Sequence, residues 1–287
     1  MKDPMFSVII VNYNTGDLLL ACLESLCEQQ SLIREIVVVD NNSHDNSVDR
    51  VKKAFPSVHV IALPENIGFG RANNRALSSC SGDLIFLLNP DTRLKPGCLA
   101  AMAAYMMDNQ DVGMAGTAVY DGSGIRQVTA DPGYPGNHYT GRLFSDLPGD
   151  IAWLLGASLI IRRQVMEEVQ GFDPDYFLYG EDIDLSLRIR QAGWKLGYVP
   201  DAGIVHLEGQ SERTTPPDQL FEKKIQGELL FYTKHYPAEV VRRIKRVRRI
   251  QAIWRLATLW IEGILKREDE VLRKKRAKYA VAARLYR

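Results

Sequence analysis

The sequence predicts an α/β protein built on a mostly parallel β-sheet with helices on its faces, and three features support this prediction. Between residues 6 and 120, apolar runs typical of strands buried on both faces alternate with segments of helical periodicity. Polar turns directly follow several of these runs. From Pro216 onward the pattern becomes helical with few breakers. Because a helix between two strands crosses back over the sheet, this alternation favours parallel strand pairs.

The predicted elements follow one another in a regular order. The first strand is 6-FSVIIV-11, and a helix with leucines between positions 18 and 26 comes next. Further strands are predicted at 35–40, 58–63, 83–88, 112–120, 151–163, 195–200 and 202–207. Further helices are predicted at 46–54, around Arg71, and at 96–108, 163–169, 181–192, 218–235 and 238–287. Residues 121–150 are rich in Gly, Pro, Asp and Tyr, and predict a long irregular loop.

Polar residues stand where several of the predicted strands end. Asn12 and Tyr13, Asp40, and Asp91 follow three separate strands. The carboxyl ends of parallel strands meet at one edge of the sheet, where α/β proteins bind ligands. We therefore expect a crevice of nucleotide size at this edge. A nicotinamide-binding domain is not indicated, because 68-GFGRAN-73 lacks the third glycine of the dinucleotide fingerprint and follows the third strand.

A second group of polar residues lies in the stretch 171–206. Four carboxylates, Asp175, Glu181, Asp182 and Asp184, precede or begin a predicted helix. The helix dipole and the free backbone N–H groups of a first turn favour acidic side chains. A carboxylate held there can accept a proton or bind a cation. The charge pattern alone fits equally well with an acid-capped surface helix.

Composition indicates an ordinary soluble protein, with 46% hydrophobic and 25% charged residues. The four cysteines form no CxxC pair, which favours buried thiols in a reducing compartment over a disulfide framework or a zinc site. No run of 18 apolar residues is present, and the apolar start at Phe6 is too short for a signal peptide. We expect a cytoplasmic protein.

Charge is distributed unevenly along the chain. Residues 242–287 carry 16 Lys and Arg against 4 Asp and Glu, whereas residues 1–241 carry 20 against 31. Within 240–267, apolar residues recur at helical spacing, and the basic residues are expected on much of the opposite face. A basic amphipathic helix with tryptophans fits an anionic membrane surface. A helix packed on the catalytic domain or in a homodimer fits equally well, whereas the acidic body argues against nucleic acid.

Several motifs together resemble one enzyme family. They are 8-VIIVNYN-14, 37-VVVDNNS-43, 66-NIGFGRANN-74, 86-FLLNPDT-92, 153-WLLGASLIIRR-163, 171-GFD-173 and 180-GEDIDLSLR-188, together with His206. They resemble the inverting glycosyltransferases of family 2, and most of all the bacterial rhamnosyltransferase-like members. The resemblance covers about residues 6–210. It implies the GT-A fold, a Rossmann-like, mostly parallel sheet flanked by helices, for a catalytic domain at 1–215, with 216–287 as a helical extension.

The resemblance also assigns residues to a nucleotide site. Asp40 would accept a hydrogen bond from N3–H of a uracil or thymine ring. Other residues expected to line the nucleotide site are Asn12, Tyr13, Asn14, Asn42, Gly68, Arg71 and Asn89. Some of these residues have simpler explanations. Asp40 can cap the end of its strand, Arg71 can form a surface ion pair, and the asparagines can be turn formers only.

By the same resemblance, Asp91 and His206 would hold Mg²⁺ or Mn²⁺ for the leaving diphosphate. The family usually has Asp-any-Asp where this chain has Asn89-Pro90-Asp91, so one carboxylate is replaced by an amide. This departure weakens the case for tight metal binding. A lone histidine is also often structural, and Asn-Pro-Asp alone can be a turn that closes a strand.

Transfer with inversion needs a base for the acceptor hydroxyl. The resemblance assigns this role to Asp182, with Glu181 beside it, and places Trp153, Gly156 and Asp184 in the sugar and acceptor pocket. Trp153 fits a core position equally well. The expected donor is dTDP-rhamnose, and the expected acceptor is a cell-envelope glycan or a polyprenyl-diphosphate-linked saccharide at the inner face of the plasma membrane. The alternatives are a UDP-sugar-dependent transferase and a non-catalytic nucleotide-sugar-binding protein.

Overall fold

The computed structural model describes residues 3–207, 215–265 and 269–287, with backbone only at 264 and 265. These residues form two compact units. The first contains residues 3–134, 146–177 and 181–207. The second contains residues 135–145, 178–180 and the described residues from 215 onward. The domain boundary expected between residues 215 and 216 stays a prediction, and residues 208–214 just before it lie outside the described residues.

An eight-stranded sheet forms the centre of the first unit, in the order β3-β2-β1-β4-β9-β6-β10-β5. Its strands are β1 Phe6–Asn12, β2 Ile33–Asp40, β3 His59–Ala62, β4 Leu84–Leu88, β5 Thr92–Leu94, β6 Val112–Tyr120, β9 Ser158–Arg162 and β10 Lys195–His206. A separate antiparallel pair is formed by β7 Ala130–Asp131 and β8 Trp153–Leu154. Strands β3, β2, β1 and β4 are parallel, as are β6 and β10. The predicted mostly parallel sheet is therefore confirmed.

Helices flank this sheet. They are α1 Asp17–Cys27, α2 Ser47–Ala54, α3 Phe69–Leu77, α4 Cys98–Asp108, α5 Arg163–Glu168 and α6 Glu181–Gln191. The continuous apolar run of β1 is explained by burial on both faces. Val8 and Ile10 join one core cluster, whereas Ile9 and Val11 join another. All seven residues of β1 are buried, which a sheet covered on both sides requires.

The sequence-based prediction was wrong in three segments of the sheet. Segment 151–163 is not one strand, because it contributes β8 to the small pair and β9 to the large sheet. Segment 195–207 is one strand, β10, rather than two. Its pairing with β6 is interrupted between Val199 and Gly203, an interval that contains Pro200, which has no N–H to donate. The three-residue strand β5 was not predicted, because its pattern is too short to detect.

The second unit contains α7 Pro217–His235, α8 Ala238–Leu265 and α9 Glu270–Leu285. The single helical segment expected over 238–287 is therefore two helices. Helix α9 packs against α7 and α8 around Ala252, Ala282 and Tyr286. The buried side of α8 includes Ile244, but its exposed side carries both arginines and large apolar residues. The expected separation of basic and apolar residues onto opposite faces is thus wrong. Among the described helices, none is long and apolar enough to cross a membrane.

Candidate active site

The ends of β1 and β2 form a hydrogen-bonded pocket. Asn12 and Asp40 are register partners at the carboxyl ends of these parallel strands. The Asn12 amide nitrogen donates to Asp40 Oδ1 at 2.7 Å, to Ser43 Oγ at 3.0 Å and to Ser47 Oγ at 2.8 Å. The backbone N–H of Ser43 donates to Asp40 Oδ2 at 3.0 Å. Asp40 is therefore buried and oriented, and each oxygen keeps capacity for a further donor.

The neighbouring turns depend on asparagines with positive φ. Asn14 has φ 54° and Asn42 has φ 65°, in the left-handed region where asparagine is tolerated. The backbone N–H of Asn14 donates to Ser43 Oγ, and the side-chain oxygen of Asn14 accepts from the backbone N–H of His44. Their turn-forming role is thus visible, and their contact with a nucleotide stays a prediction. Tyr13, which follows Asn12 in the chain, is half-buried.

The glycine-rich loop before α3 also has a structural explanation. Gly68 has φ 88°, and a Cβ there would lie 2.4 Å from the Phe177 carbonyl oxygen. The same carbonyl accepts a hydrogen bond from the N–H of Phe69 at 2.9 Å. Only glycine allows this close approach. Arg71 donates through Nε to the Pro174 carbonyl at 2.5 Å, so the structure shows a backbone contact for this side chain and no surface ion pair among the described residues.

Asp91 and His206 come together although they are far apart in sequence. Strand β5 pairs antiparallel with β10, and His206 lies opposite Thr92. The Nε2 atom of His206 is 3.2 Å from Asp91 Oδ1, and both side chains are less than a tenth exposed. The Nδ1 atom of His206 is buried and has no hydrogen-bond partner among the described residues. The Asp91 carbonyl accepts from the N–H of Leu207, which fixes this corner.

Asn89 connects the end of β4 to the loop before β9. Its backbone N–H donates to the Ala157 carbonyl at 3.0 Å, and its carbonyl accepts from Thr92 Oγ1 at 2.6 Å. The Asn89 side chain is half-buried. Among the described residues, no group of three or more His, Cys, Asp or Glu side chains is arranged to hold a metal ion. Asp91 and His206 are accordingly two protein donors without a third His, Cys, Asp or Glu beside them in the part of the chain that the structure describes.

Asp182 lies in the first turn of α6 and contacts the same loop. The backbone N–H of Gly156 donates to Asp182 Oδ2 at 3.0 Å, and the N–H of Ile183 donates to Oδ1 at 2.9 Å. Burial raises the pKa of Asp182. Burial, together with the charge of Asp182, raises the pKa of Glu181 to about 8. The buried Oε2 atom of Glu181 has no hydrogen-bond partner among the described residues.

Two residues expected in the sugar and acceptor pocket make internal contacts. Asp184 is fully buried, and its Oδ2 atom is 2.7 Å from Nε of Arg188, one helical turn further along α6. Arg188 also donates to the Val169 carbonyl. Trp153 is half-buried and donates through Nε1 to the Gly133 carbonyl at 3.2 Å. These contacts give both residues a structural role, and their contact with a sugar stays a prediction.

Sequence reasoning missed Arg190, a buried residue on α6. Its guanidinium donates to the carbonyls of Leu147, Pro148 and Gly149 and to the hydroxyl of Tyr134. It therefore fixes the end of the irregular loop to the helix that carries Asp182. The available signal was weak, because the spacing of Arg190 from Leu187 and Ile183 places it on the apolar side of α6.

The carboxyl ends of β1, β2 and β4 lie at one edge of the sheet. At this edge, the N–H of Asn89 donates a hydrogen bond to the Ala157 carbonyl, and Gly156, the residue before Ala157, donates to Asp182. A family model described as glycosyl transferase family 2 matches residues 7–170. The chain belongs to glycosyl transferase family 2. The match covers β2, β3 and β4 and all of β1 except Phe6, and it ends shortly before α6.

This family 2 member is similar to two rhamnosyltransferases. It is 28% identical to the N-acetylglucosaminyl-diphospho-decaprenol L-rhamnosyltransferase of Mycobacterium tuberculosis strain H37Rv, covering 74% of this chain and 79% of the relative. It is 24% identical to rhamnosyltransferase WbbL of Escherichia coli K12, covering 73% of this chain and 86% of the relative. The family 2 protein is thus rhamnosyltransferase-like in sequence.

Solved structures agree on the fold. A mannosyltransferase from Pyrobaculum calidifontis, in complex with GDP-Man and Mn²⁺, aligns with a TM-score of 0.60 at 18% identity, covering 99% of this chain and 87% of that one. Residues 1–349 of TarS from S. aureus, in complex with UDP-GlcNAc, align with a TM-score of 0.54 at 21% identity, covering 79% of this chain and 66% of that one. The expected GT-A fold is confirmed.

Proposed function

We propose that this chain is an inverting glycosyltransferase that moves a sugar from a nucleoside diphosphate to a hydroxyl group of an envelope glycan or a polyprenyl-diphosphate-linked saccharide. In this proposal the donor is dTDP-rhamnose and the transferred sugar is L-rhamnose. The chain is similar to a relative named for rhamnosyl transfer to a decaprenol-linked N-acetylglucosamine, which supports both the rhamnosyl donor and the lipid-linked acceptor. The observation that carries the proposal is the Asp182 carboxylate, held against Gly156 beside the carboxyl edge of the sheet.

Asp182 suits the role of the base. Its two oxygens are oriented by backbone N–H groups, so the carboxylate cannot rotate freely. Its raised pKa makes it a better proton acceptor than an exposed aspartate. As the acceptor oxygen attacks the anomeric carbon, its proton passes to Asp182, and the bond from that carbon to the diphosphate oxygen breaks. Burial and the charge of Asp182 raise the pKa of Glu181 to about 8, which favours the neutral form of Glu181 beside the ionised Asp182.

The Asn12 and Asp40 pair suits a pyrimidine base. Asp40 Oδ1 and Oδ2 are already oriented by Asn12 and Ser43, and an N3–H donor can reach the remaining lone pairs. Uracil and thymine present the same N3–H, so Asp40 does not distinguish UDP-sugars from dTDP-sugars. The UDP-sugar-dependent reaction is therefore the second candidate. A non-catalytic nucleotide-sugar-binding protein is a third, and the oriented Asp182 argues against it.

The corner of Asp91 and His206 fits Mg²⁺ or Mn²⁺ in part. Two buried donors lie 3.2 Å apart, close enough for both to contact one cation. With no third acidic or imidazole donor among the described residues, such a cation would take its other ligands from diphosphate and water. A bound cation would neutralise charge on the leaving diphosphate. A metal-binding histidine usually donates its other ring N–H to a carboxylate, a carbonyl or water, whereas Nδ1 of His206 has no such partner among the described residues.

Thermal unfolding with a panel of donors tests the proposal. A ligand that binds only the folded state raises the melting temperature according to its concentration relative to the dissociation constant. We expect stabilisation by dTDP-rhamnose, enhanced by Mn²⁺, and transfer of rhamnose to a prenyl-diphosphate-linked acceptor. Stabilisation by UDP-sugars instead would favour the second candidate. Binding without transfer to any acceptor would favour the non-catalytic alternative, and no response to any nucleotide sugar would overturn the proposal.

Contact of residues 240–267 with the inner face of the plasma membrane is part of the same proposal, and residues 266 and 267 of this range lie outside the described residues. A lipid-linked acceptor has its reactive saccharide at the membrane surface, so a transferase held there meets it at high local concentration. A homodimer formed through these residues is the alternative. The relative that acts on a decaprenol-linked acceptor supports the membrane contact.

A further inference from the structure

Helix α8 has one packed side and one exposed side. Ile244, Ala252 and Leu259 are buried. At about 100° per residue these three side chains lie within one sector of the helix. Arg248 is on the same side and contacts Glu228 of α7 at 3.8 Å. On the opposite side, the guanidinium carbon of Arg243 lies 5.7 Å from the centre of the Tyr139 ring.

The exposed side is divided along the helix axis into a basic half and an apolar half. The basic half contains Arg242, Arg243, Arg246 and Arg249, and all four are exposed. The apolar half contains the exposed residues Ile250, Ile253, Trp254, Ala257, Trp260 and Ile261. At about 100° per residue, all ten positions fall within a sector of roughly 140°. Trp254 is 61% exposed and Trp260 is 64% exposed, which is unusually high for tryptophan on the surface of a water-soluble protein.

The basic half continues into a groove at the end of the chain. The groove has a volume of about 460 Å³ and is lined by Arg242, Lys245, Arg246, Arg249, Ile250, Ile253, Tyr286 and Arg287. Among the described residues, no carboxylate lies within ion-pair distance of Arg242, Arg246 or Arg249. Five cations therefore line this one groove, and the three arginines of α8 have no carboxylate partner among the described residues. Two isoleucines line the groove as well.

The geometry points to a docking surface for an anionic lipid bilayer. The groove would receive lipid phosphate groups, and the apolar half of α8 would insert below them. Tryptophan and isoleucine gain free energy at the boundary of headgroup and acyl chain, and arginine can keep its charge at the phosphates while its stem is buried. This inference rests on the membrane contact proposed above and deepens it, because it assigns the lipid phosphates to the cations of the groove and the acyl boundary to the apolar half of α8.

A second copy of this chain fits the surface less well. A parallel pairing of two α8 helices would bring arginines against arginines. An antiparallel pairing would bring the arginines of each helix against the apolar half of the other. On the exposed side of α8, as far as the structure describes it, the acidic side chain is Glu239 at the helix start. Neither pairing neutralises the basic half, whereas anionic lipids do.

Vesicle co-sedimentation of the full chain tests this surface. The vesicles are phosphatidylcholine alone, or phosphatidylcholine with about 30 mol% phosphatidylglycerol, a fraction that gives a substantial negative surface potential. We expect binding to the anionic vesicles only, weakened by salt, with a blue shift of tryptophan emission. Each surface cation contributes roughly 5-fold to partitioning, so Arg242→Gln with Arg246→Gln and Arg249→Gln is expected to lower it on the order of 100-fold. Trp254→Ser with Trp260→Ser is expected to remove the blue shift and the salt-resistant part of binding.

Matched controls come from the first unit. Arg34→Gln with Lys52→Gln and Lys53→Gln removes the same charge from other exposed positions. Ile125→Ser with Val128→Ser removes exposed apolar side chains elsewhere. Both control variants are expected to bind vesicles as the unaltered chain does. If an α8 variant fails to fold, quenching of tryptophan emission by brominated lipid in the unaltered chain measures the same contact.

Three results would overturn the inference. The first is absence of binding to anionic vesicles, and the second is equal vesicle binding by both α8 variants and the unaltered chain. The third is a concentration-dependent dimer that the tryptophan variant no longer forms, together with no vesicle binding by the unaltered chain. The vesicle measurement uses no nucleotide sugar. Its failure would therefore leave the proposed transfer reaction standing, and failure of the transfer assay would leave the lipid surface standing.

Discussion

The Asp182 carboxylate accepts a hydrogen bond from the backbone N–H of Gly156, with 3.0 Å between Oδ2 and nitrogen. Ala157, the next residue, accepts from the N–H of Asn89 at the end of β4. Two hydrogen bonds thus connect the proposed base on α6 to the edge of the sheet. A Cβ atom at Gly156 would lie 3.4 Å from the Cβ atom of Asp182, which is an ordinary contact distance. Gly156 therefore acts on Asp182 through its backbone N–H group and not through the absence of a side chain.

The pH dependence of stability should depend on Glu181. Its folded-state pKa is raised from 4.5 to about 8 by burial and by Asp182. Between these values the folded protein holds a proton that the unfolded chain releases, so this group lowers the free energy of unfolding as pH rises. We expect Glu181→Gln to be more stable than the unaltered chain, by an increment that grows from pH 4.5 to pH 8. Urea unfolding at several pH values measures it, with Glu65→Gln, an exposed carboxylate, as the control. An increment independent of pH would contradict the assignment.

Asp40→Asn should weaken nucleotide binding. The substitution keeps the shape of the side chain but removes the negative charge of the carboxylate. That carboxylate accepts hydrogen bonds from Asn12 and Ser43, and in the proposal also from N3–H of the base. A hydrogen bond to a charged group contributes about 1.5–3 kcal/mol, so we expect affinity to fall about 10- to 100-fold. Isothermal titration with UDP and dTDP measures the dissociation constants. Asp49→Asn, which changes an exposed carboxylate on α2, is the control. Equal affinities of Asp40→Asn and the control would count against a base site at Asp40.

Asp91→Asn and His206→Ala should each weaken Mn²⁺ binding. Electron paramagnetic resonance of free Mn²⁺, in the presence of nucleoside diphosphate, measures binding without any turnover. We expect at least about a 10-fold loss in each variant, because Asp91→Asn removes the negative charge of one protein donor and His206→Ala removes the other donor. His59→Gln removes an exposed imidazole on β3 and is expected to change nothing. Unaltered Mn²⁺ binding in both variants would show that this pair is a structural ion pair.

Arg190→Gln should destabilise the first unit. Arg190 is 6% exposed, and its guanidinium donates to three backbone carbonyls and to the hydroxyl of Tyr134. Removing it leaves several of these acceptors unsatisfied, so we expect the free energy of unfolding to fall by about 2–4 kcal/mol. Arg190→Lys is expected to recover little, because an ammonium group lacks the planar fork. Chemical denaturation measures both, beside the exposed control Arg34→Gln. A loss no greater than that of the control would refute this role.

Much of the fold follows from the sequence because burial on both faces leaves a simple pattern. The apolar run of β1 and the polar residue at its end predicted both the parallel strand and the place of Asn12. The split of segment 151–163 could not be predicted in this way. Leu154 and Leu159 are equally apolar, and only the tertiary pairing of β8 with β7 separates them.

The site shows the same division. The ion pair of Asp184 with Arg188 has the spacing of one helical turn, and could therefore have been recognised beforehand. The approach of His206 to Asp91 depends on a strand of three residues, β5, that carries no detectable pattern. The packed side of α8 is likewise fixed by α9, since periodicity alone does not show which apolar residues are covered.

Turnover by Asp182→Asn tests the central claim most directly. The substitution keeps the shape of the side chain but removes its basicity. With dTDP-rhamnose and a prenyl-diphosphate-linked N-acetylglucosamine, we expect the rate of rhamnose transfer to fall about 10²- to 10⁴-fold. Donor binding by thermal shift should stay within a few-fold, and the exposed control Glu167→Gln should be fully active. Rhamnose transfer by Asp182→Asn at the rate of the control would contradict the assignment of Asp182 as the base.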